Sequence, residues 1–137
     1  PPAGAGGAPG GPACASDPAT APNGVWLCEH RDPWLRAMLR FRAAVAGQAQ
    51  QLTWNNGTEA VAFSRGALGF VAINDGVGEV VTNIPTSLPA GVYCDLLTGG
   101  KVGGSCAGTT VTVDAGGAAA VTLPSRSAVV LLVGDTQ

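Results

Sequence analysis

The sequence predicts a mainly β fold, an antiparallel Greek-key sandwich or barrel, preceded by one α-helix. Seven short apolar runs follow one another after residue 58 and are separated by turn signals. Only the stretch from Asp32 to Gly47 carries apolar residues at helical spacing. Strands that recur every 8–12 residues or so, with no helices between them, are typical of sandwiches and Greek-key barrels. We therefore expect an all-β unit of seven or eight strands after the helix.

The composition limits the classes of function. The chain has 137 residues, which is the length of one domain, and 12% of them are charged, about half the usual share. Its net charge of −2 provides no electrostatic footprint for nucleic acid. No apolar run is long enough to cross a bilayer. We expect neither nucleic acid nor a membrane as a partner.

Residues 1–24 differ in composition from the rest of the chain. Nineteen of these 24 residues are Ala, Gly or Pro. Without large apolar side chains, such a segment cannot offset the entropy lost on ordering, so we predict a flexible arm. Because the sequence begins with Pro1, we expect a fragment or processed part of a longer protein.

The stretch after Arg31 predicts an amphipathic helix. Asp32 suits its N-cap, Pro33 its first position and Gly47 its C′ position. The apolar stripe comprises Trp34, Met38, Phe41 and Val45, widened by Leu35 and Leu39. We expect the opposite face to be solvated, and it comprises Arg36, Arg40 and Ala43. Arg42 falls inside the apolar arc, where it needs a polar partner if buried or extends its head into water.

The predicted strands correspond to the seven apolar runs. These runs cover residues 59–65, 69–74, 78–84, 92–97, 109–113, 118–123 and 128–133. Glycine, asparagine, aspartate and proline pairs between them favour turns. The predicted organisation is an arm (1–24), a helical segment (25–47) and an all-β domain (48–137).

Four cysteines predict two disulfides, Cys14–Cys28 and Cys94–Cys106. Four cysteines allow three pairings, and we prefer the sequential one because it closes two short loops. In the chain-entropy model each bond contributes roughly 3 kcal/mol. A zinc site is disfavoured, because the sequence has no Cys-x-x-Cys and a single histidine. Disulfides favour an oxidising compartment, so we expect a secreted, extracellular protein.

Asn56-Gly57-Thr58 is an N-glycosylation sequon in a predicted turn. Asn56 is therefore a candidate glycosylation site, with an unmodified turn as the alternative.

No residue of this chain is predicted to be catalytic or to bind a metal. A nucleophilic triad needs a histidine, and His30 lies beside Cys28, where a structural hydrogen-bonding role is expected. Glycosidase chemistry needs two opposed carboxylates, and no such pair stands out among the nine acidic residues. The glycine clusters lack the Lys-Ser/Thr that a phosphate-binding loop requires.

Five collinear motifs, spread over residues 25–133, point to a known family. Residues 26–31 read Trp-Leu-Cys-Glu-His-Arg and residues 41–45 read Phe-Arg-Ala-Ala-Val. The further motifs are residues 54–58 with 62–66 and 69–74, then 88–95, and 104–108. Together they resemble the C-terminal part of the α-amylases of glycoside hydrolase family thirteen, in their animal and actinobacterial form.

This resemblance implies that the helix is the last helix of a (β/α)8 barrel and that the β unit is the C domain packed against it. It also implies both disulfides and a structural role at the junction between barrel and C domain for Glu29, His30, Arg31 and Arg42.

The parent enzyme would hydrolyse internal α-1,4 bonds of starch or glycogen with retention. Its catalytic carboxylates and its calcium and chloride sites would lie upstream, outside this chain. Whether this chain is an enzyme is therefore uncertain: it would be structural, inactive alone, and partnered by the upstream barrel of the same polypeptide.

A stand-alone starch- or carbohydrate-binding β-domain is the alternative, and a purely structural or inhibitory secreted domain is a third hypothesis. A binding module needs exposed aromatic rings, and the candidates are Trp26, Trp34, Trp54 and Tyr93. Trp34 is expected in the core because it leads the helix stripe. Trp54, in a predicted strand flanked by turns, is the candidate sugar platform.

Overall fold

A computed structural model describes residues 14–15, 26–27 and 32–137 of the chain. Two-residue strands β1 (Cys14–Ala15) and β2 (Trp26–Leu27) pair in parallel and precede helix α1 (Pro33–Ala44). The remaining strands are β3 (Gln50–Asn55), β4 (Ala60–Arg65), β5 (Gly69–Asn74), β6 (Val80–Pro85), β7 (Gly91–Cys94), β8 (Lys101–Val102), β9 (Ser105–Cys106), β10 (Thr110–Val113), β11 (Ala118–Leu123) and β12 (Ser127–Leu132).

Eight of these strands form two antiparallel sheets of four. The strand order is β12-β5-β4-β3 in the first sheet and β6-β11-β10-β7 in the second. In the second sheet the consecutive strands β6 and β7 lie at opposite edges, with the β10–β11 pair between them, which is a Greek-key arrangement. The predicted fold class, mainly β and antiparallel, is confirmed.

The main hydrophobic core lies between the two sheets. It includes Phe70 and Leu131 from the first sheet and Ile84, Val111 and Leu123 from the second, all of them buried. Strands β10 and β11 alternate between buried and exposed residues, as strands with one solvated face do. The period-2 pattern therefore determines which side chains reach this core.

Strand β12 departs from this alternation because both of its faces are covered. Val129 and Leu131 belong to the core between the sheets, whereas Val130 and Leu132 belong to a second cluster beneath α1. This explains the continuous apolar run at residues 128–133, since a strand buried on both faces has no polar side to show.

Two predicted segments differ in detail. Strand β3 lies outside the seven apolar runs, because it is an edge strand whose residues are exposed except for the half-buried Trp54. The predicted run 92–97 ends as a strand at Cys94. There, the Asp95 side chain caps a 3-10 turn, Leu96–Thr98, by accepting a hydrogen bond from the Leu97 N–H.

Helix α1 begins as the sequence predicts. The Asp32 side chain accepts a hydrogen bond of 3.0 Å from the Trp34 N–H, and Pro33 occupies the first helical position. No helix in the described part of the chain is long and apolar enough to span a membrane.

Candidate functional site

The junction between α1 and the first sheet is a candidate functional site. The C-terminal half of the helix packs through Phe41 and Val45 against Leu96, Val130 and Leu132. This contact is close, since a Cβ added to the buried Gly69 would overlap Phe41 and Val45 side-chain atoms. Glycine at residue 69 therefore lets the helix lie directly on β5.

Only part of the predicted apolar stripe is buried. Phe41 and Val45 are buried as expected, but Trp34 is 55% and Met38 45% exposed. The expectation that Trp34 belongs to the core is therefore wrong. The C-terminal end of α1 packs directly on β5 and β12, whereas an open groove separates Trp34 in the first turn from Ile73 and Ala128 of the same two strands.

Arg40 lies on the solvated face, as the sequence predicts, but it also has a partner that the sequence did not indicate. Its Nη2 forms an ion pair of 2.6 Å with Asp135 Oδ2. The Asp135 carboxylate is almost fully buried, and its Oδ1 accepts a hydrogen bond of 3.4 Å from the Lys101 N–H. The pair joins the helix to the end of the chain, 95 residues away.

A second buried carboxylate, Asp95, holds the surface on which α1 rests. Its Oδ1 accepts hydrogen bonds from the Leu97 N–H at 3.2 Å and from the Val130 N–H at 2.9 Å. These bonds tie the 3-10 turn to β12. Both buried carboxylates thus accept hydrogen bonds from groups of the protein itself, which indicates that they stabilise the junction.

The Cys94–Cys106 disulfide, one of the two predicted pairs, is present. It closes the segment that contains Asp95 and the 3-10 turn, so it braces the same junction. The predicted pair Cys14–Cys28 lies outside the described side chains, as do the junction candidates Glu29, His30 and Arg31.

Arg42 is exposed on α1, on the side turned away from the β domain. At 100° per residue, Leu35, Leu39 and Arg42 fall within about 60° of one another and about 120° from Phe41. Its predicted role at the junction with a barrel stays a prediction.

The other site candidates are aromatic or lie in loops. Trp54 is half-buried and packs against the core between the sheets. Asn56 is exposed, and its Oδ1 accepts hydrogen bonds from Thr58, Glu59 and Ala60. The Tyr93 hydroxyl donates a hydrogen bond of 2.8 Å to the Pro89 carbonyl, and burial raises the pKa of Tyr93.

Among residues 14–15, 26–27 and 32–137, no three His, Cys, Asp or Glu side chains lie close enough together to hold a metal ion.

An open groove of about 410 Å³ lies beside the first turn of α1. Trp34, Ile73 and Leu97 form its apolar wall, and Asp75 and Arg126 contribute charge. No motif in the sequence brought these residues together, because they belong to α1, to β5, to the 3-10 turn and to two separate loops, the ones that carry Asp75 and Arg126. Strand pairing brings those two loops together: Asn74 of β5 lies opposite Ser127 of β12.

Comparison with known proteins places the chain in a family. Residues 54–134 match the family model of the α-amylase C-terminal all-β domain. The chain is 44% identical to the α-amylase of Tenebrio molitor over 80% of its own length and 23% of that protein. It is 43% identical to the pancreatic α-amylase of Rattus norvegicus over 75% of its own length and 20% of that protein.

A solved structure agrees with the sequence matches. A mutant of α-amylase I from Eisenia fetida, in complex with maltohexaose, superposes with a TM-score of 0.77 and 30% identity. The alignment covers 97% of this chain and 27% of that one. The chain thus spans about a quarter of the length of these relatives, and it belongs to the family of α-amylase C-terminal all-β domains.

Proposed function

We propose that this chain is the C-terminal structural portion of an α-amylase that hydrolyses internal α-1,4 bonds of starch or glycogen with retention. The family match carries this proposal, together with a solved relative in complex with maltohexaose. The catalytic carboxylates would come from an upstream barrel in the same polypeptide, with calcium and chloride bound there. We further propose that the parent enzyme is secreted.

The proposed division of the chain is an arm (1–24), the last barrel helix (25–47) and the C domain (48–137). Helix α1 supports it by having apolar residues on two sides. One side packs on the β domain through Phe41 and Val45. The other carries Leu39, which is 59% exposed. A helix between two domains needs two such sides, whereas a surface helix needs one.

We propose that the side formed by Leu35, Leu39 and Arg42 is the one that the barrel covers. Leu39 is 59% exposed, so enclosing the rest of its side chain there would stabilise the association by roughly 1–2 kcal/mol. Arg42 would then find its polar partner on the barrel, since a buried guanidinium must be paired.

The experiment measures dye binding and self-association of the 137-residue chain. The exposed apolar side should bind a hydrophobic dye or form dimers, and Leu39→Asp should reduce both. The matched control is Val81→Asp, which is 70% exposed on β6 of the second sheet and should change neither. A monodisperse chain that binds no dye would refute the barrel-facing role of α1.

The mass of the native polypeptide that contains residues 88–108 tests the parent enzyme directly. A mass several times the 13.5 kDa of this chain supports an upstream barrel. A mass near 13.5 kDa would refute it and favour the alternative, a stand-alone carbohydrate-binding domain. The half-buried position of Trp54 leaves less of its ring for a sugar, so that alternative would need another platform.

Asn56 remains a proposed glycosylation site. Four hydrogen bonds to its Oδ1 hold the loop, and its exposed side chain supports access to Nδ2. Treating the native protein with an N-glycosidase should lower the mass of the peptide that contains Asn56. An unchanged peptide mass would refute the modification.

The pairing Cys14–Cys28 and the junction roles of Glu29, His30 and Arg31 are also proposals. Peptide mapping without reductant should recover Cys14 and Cys28 in one linked peptide. Their recovery as two free peptides would refute the pairing.

A further inference from the structure

We propose that the groove beside Trp34 is a non-catalytic binding site for the pyranose rings of an α-glucan chain. The site consists of an exposed indole, the apolar side chains Ile73 and Leu97, and two charged groups, Asp75 and Arg126. The binding site itself stands on this geometry. Only the choice of an α-linked glucan rests on the proposed function.

The exposed ring is suited to stacking. Trp34 is 55% exposed, so much of its ring is free to contact a ligand. Large aromatic side chains combine apolar area with an electron-rich face. The aliphatic C–H face of a pyranose is a natural partner for such a surface, and its hydroxyl groups extend sideways toward polar neighbours.

Those polar neighbours are available. Within the described chain, Arg40–Asp135 is the single ion pair, so Asp75 and Arg126 do not neutralise one another. A carboxylate accepts hydrogen bonds and a guanidinium donates up to five, which together match the mixed donor and acceptor character of sugar hydroxyls. An apolar protein segment would leave both charges without partners, which disfavours such an occupant.

The buried side chain of Asn74 connects the two loops that carry Asp75 and Arg126. Buried Asn74 donates from Nδ2 to the carbonyls of Gly78, Leu123 and Pro124 at 2.7–3.1 Å. Its Oδ1 accepts from the Gly76 N–H at 2.9 Å. One side chain thus fixes the loop after β5 and the loop before β12.

Arg126 adds an independent observation. Its φ is +50°, in the left-handed region that non-glycine residues rarely adopt, and its N–H donates to the Gly76 carbonyl at 3.1 Å. A strained backbone persists only where the surroundings enforce it, and such residues cluster at functional sites. Arg126 lines the border of the groove.

The groove and the proposed barrel-facing side do not compete for α1. At 100° per residue, Trp34 lies roughly 100° around the helix from the middle of the Leu35–Leu39–Arg42 side. A glucan and a preceding domain could therefore occupy different sides of the helix.

The test is affinity electrophoresis of the 137-residue chain in gels with and without soluble starch, followed by titration with maltoheptaose and cellohexaose. Starch should retard the chain. Trp34→Ala should weaken maltoheptaose binding about tenfold, which corresponds to about 1.4 kcal/mol. Leu39→Ala, on the same helix but outside the groove, should bind like the unmodified chain.

Arg126→Gly separates binding from structure. Glycine adopts a positive φ without strain, so this variant should unfold at a higher temperature than the unmodified chain while it binds maltoheptaose more weakly. Equal binding together with the higher unfolding temperature would remove Arg126 from the site.

Three outcomes would overturn the proposal. The first is that starch does not retard the chain. The second is that binding survives Trp34→Ala but is lost in Trp54→Phe. The third is equal binding of cellohexaose and maltoheptaose, which would rule out specificity for an α-glucan. None of them depends on dye binding or on the native mass. Failure of the groove is therefore distinguishable from failure of the proposed function.

Discussion

Removing Arg40 tests whether the ion pair with Asp135 holds α1 on the β domain. The two side chains differ in exposure, at 55% for Arg40 and 3% for Asp135. Arg40→Met keeps the apolar stem and removes the charge. It leaves the buried Asp135 carboxylate with the N–H of Lys101, at 3.4 Å, as its remaining described donor.

The different exposure of Arg40 and Asp135 determines how much stability each substitution should remove. Removing one partner of a fully buried pair costs about 3–5 kcal/mol, and an exposed pair contributes about 0–1 kcal/mol. Because Arg40 is half-exposed, we expect a loss of about 2–3 kcal/mol in the free energy of unfolding. Asp135→Asn should cost only about 1 kcal/mol, since the guanidinium left behind can turn to water.

Urea unfolding of the 137-residue chain without reductant measures both values. Arg36→Met is the matched control, because Arg36 is an exposed arginine one turn earlier on the same helix and should change stability by less than about 0.5 kcal/mol. The melting temperature of Arg40→Met should fall by about 10 °C. The reasoning fails if Arg40→Met costs no more than Arg36→Met, or less than Asp135→Asn.

Three further predictions concern the β domain. Burial raises the pKa of Tyr93, so the folded phenol keeps its proton above pH ~10, where the unfolded phenol has lost it. The free energy of unfolding should therefore fall as the pH rises past that value. Unfolding curves measured against pH check this, and an equal decline in Tyr93→Phe would contradict it. Leu123→Ala should lower the free energy of unfolding by about 2–5 kcal/mol because it leaves a cavity in the core. Val81 is 70% exposed on the same sheet, so Val81→Ala should lower it by less than about 0.5 kcal/mol in the same urea assay. Similar losses in the two variants would place Leu123 outside the core. Replacing Cys94 and Cys106 together by alanine should lower stability by about 3 kcal/mol, and an unchanged urea midpoint would refute the loop-entropy argument.

Local signals in the sequence were sufficient for most elements of the fold. Asp32 and Pro33 marked the start of α1, and the runs 69–74 and 118–123 coincide with β5 and β11. Capping, turn chemistry and period-2 alternation act within a few residues, so they can be read without knowing what lies next to the element. Strand β3 was not among the predicted runs, because an exposed edge strand needs no apolar run.

The candidate sites could not be predicted in the same way. Arg40 and Asp135 are 95 residues apart, and the groove joins Trp34 to loops that carry Asp75 and Arg126. No motif links these positions, and they meet only because β5 pairs with β12 and α1 lies across both.

Local sequence patterns were enough to predict the start of the helix, most of the strands with their inward-facing residues, and the family to which the chain belongs. Which helical residues are buried and which polar groups find partners depends on the packing of elements that are distant in sequence. Helical periodicity defines only the directions of side chains around an axis. Whether Trp34 is covered depends on how closely each end of α1 approaches the first sheet, and whether Arg40 is paired depends on where the fold places Asp135.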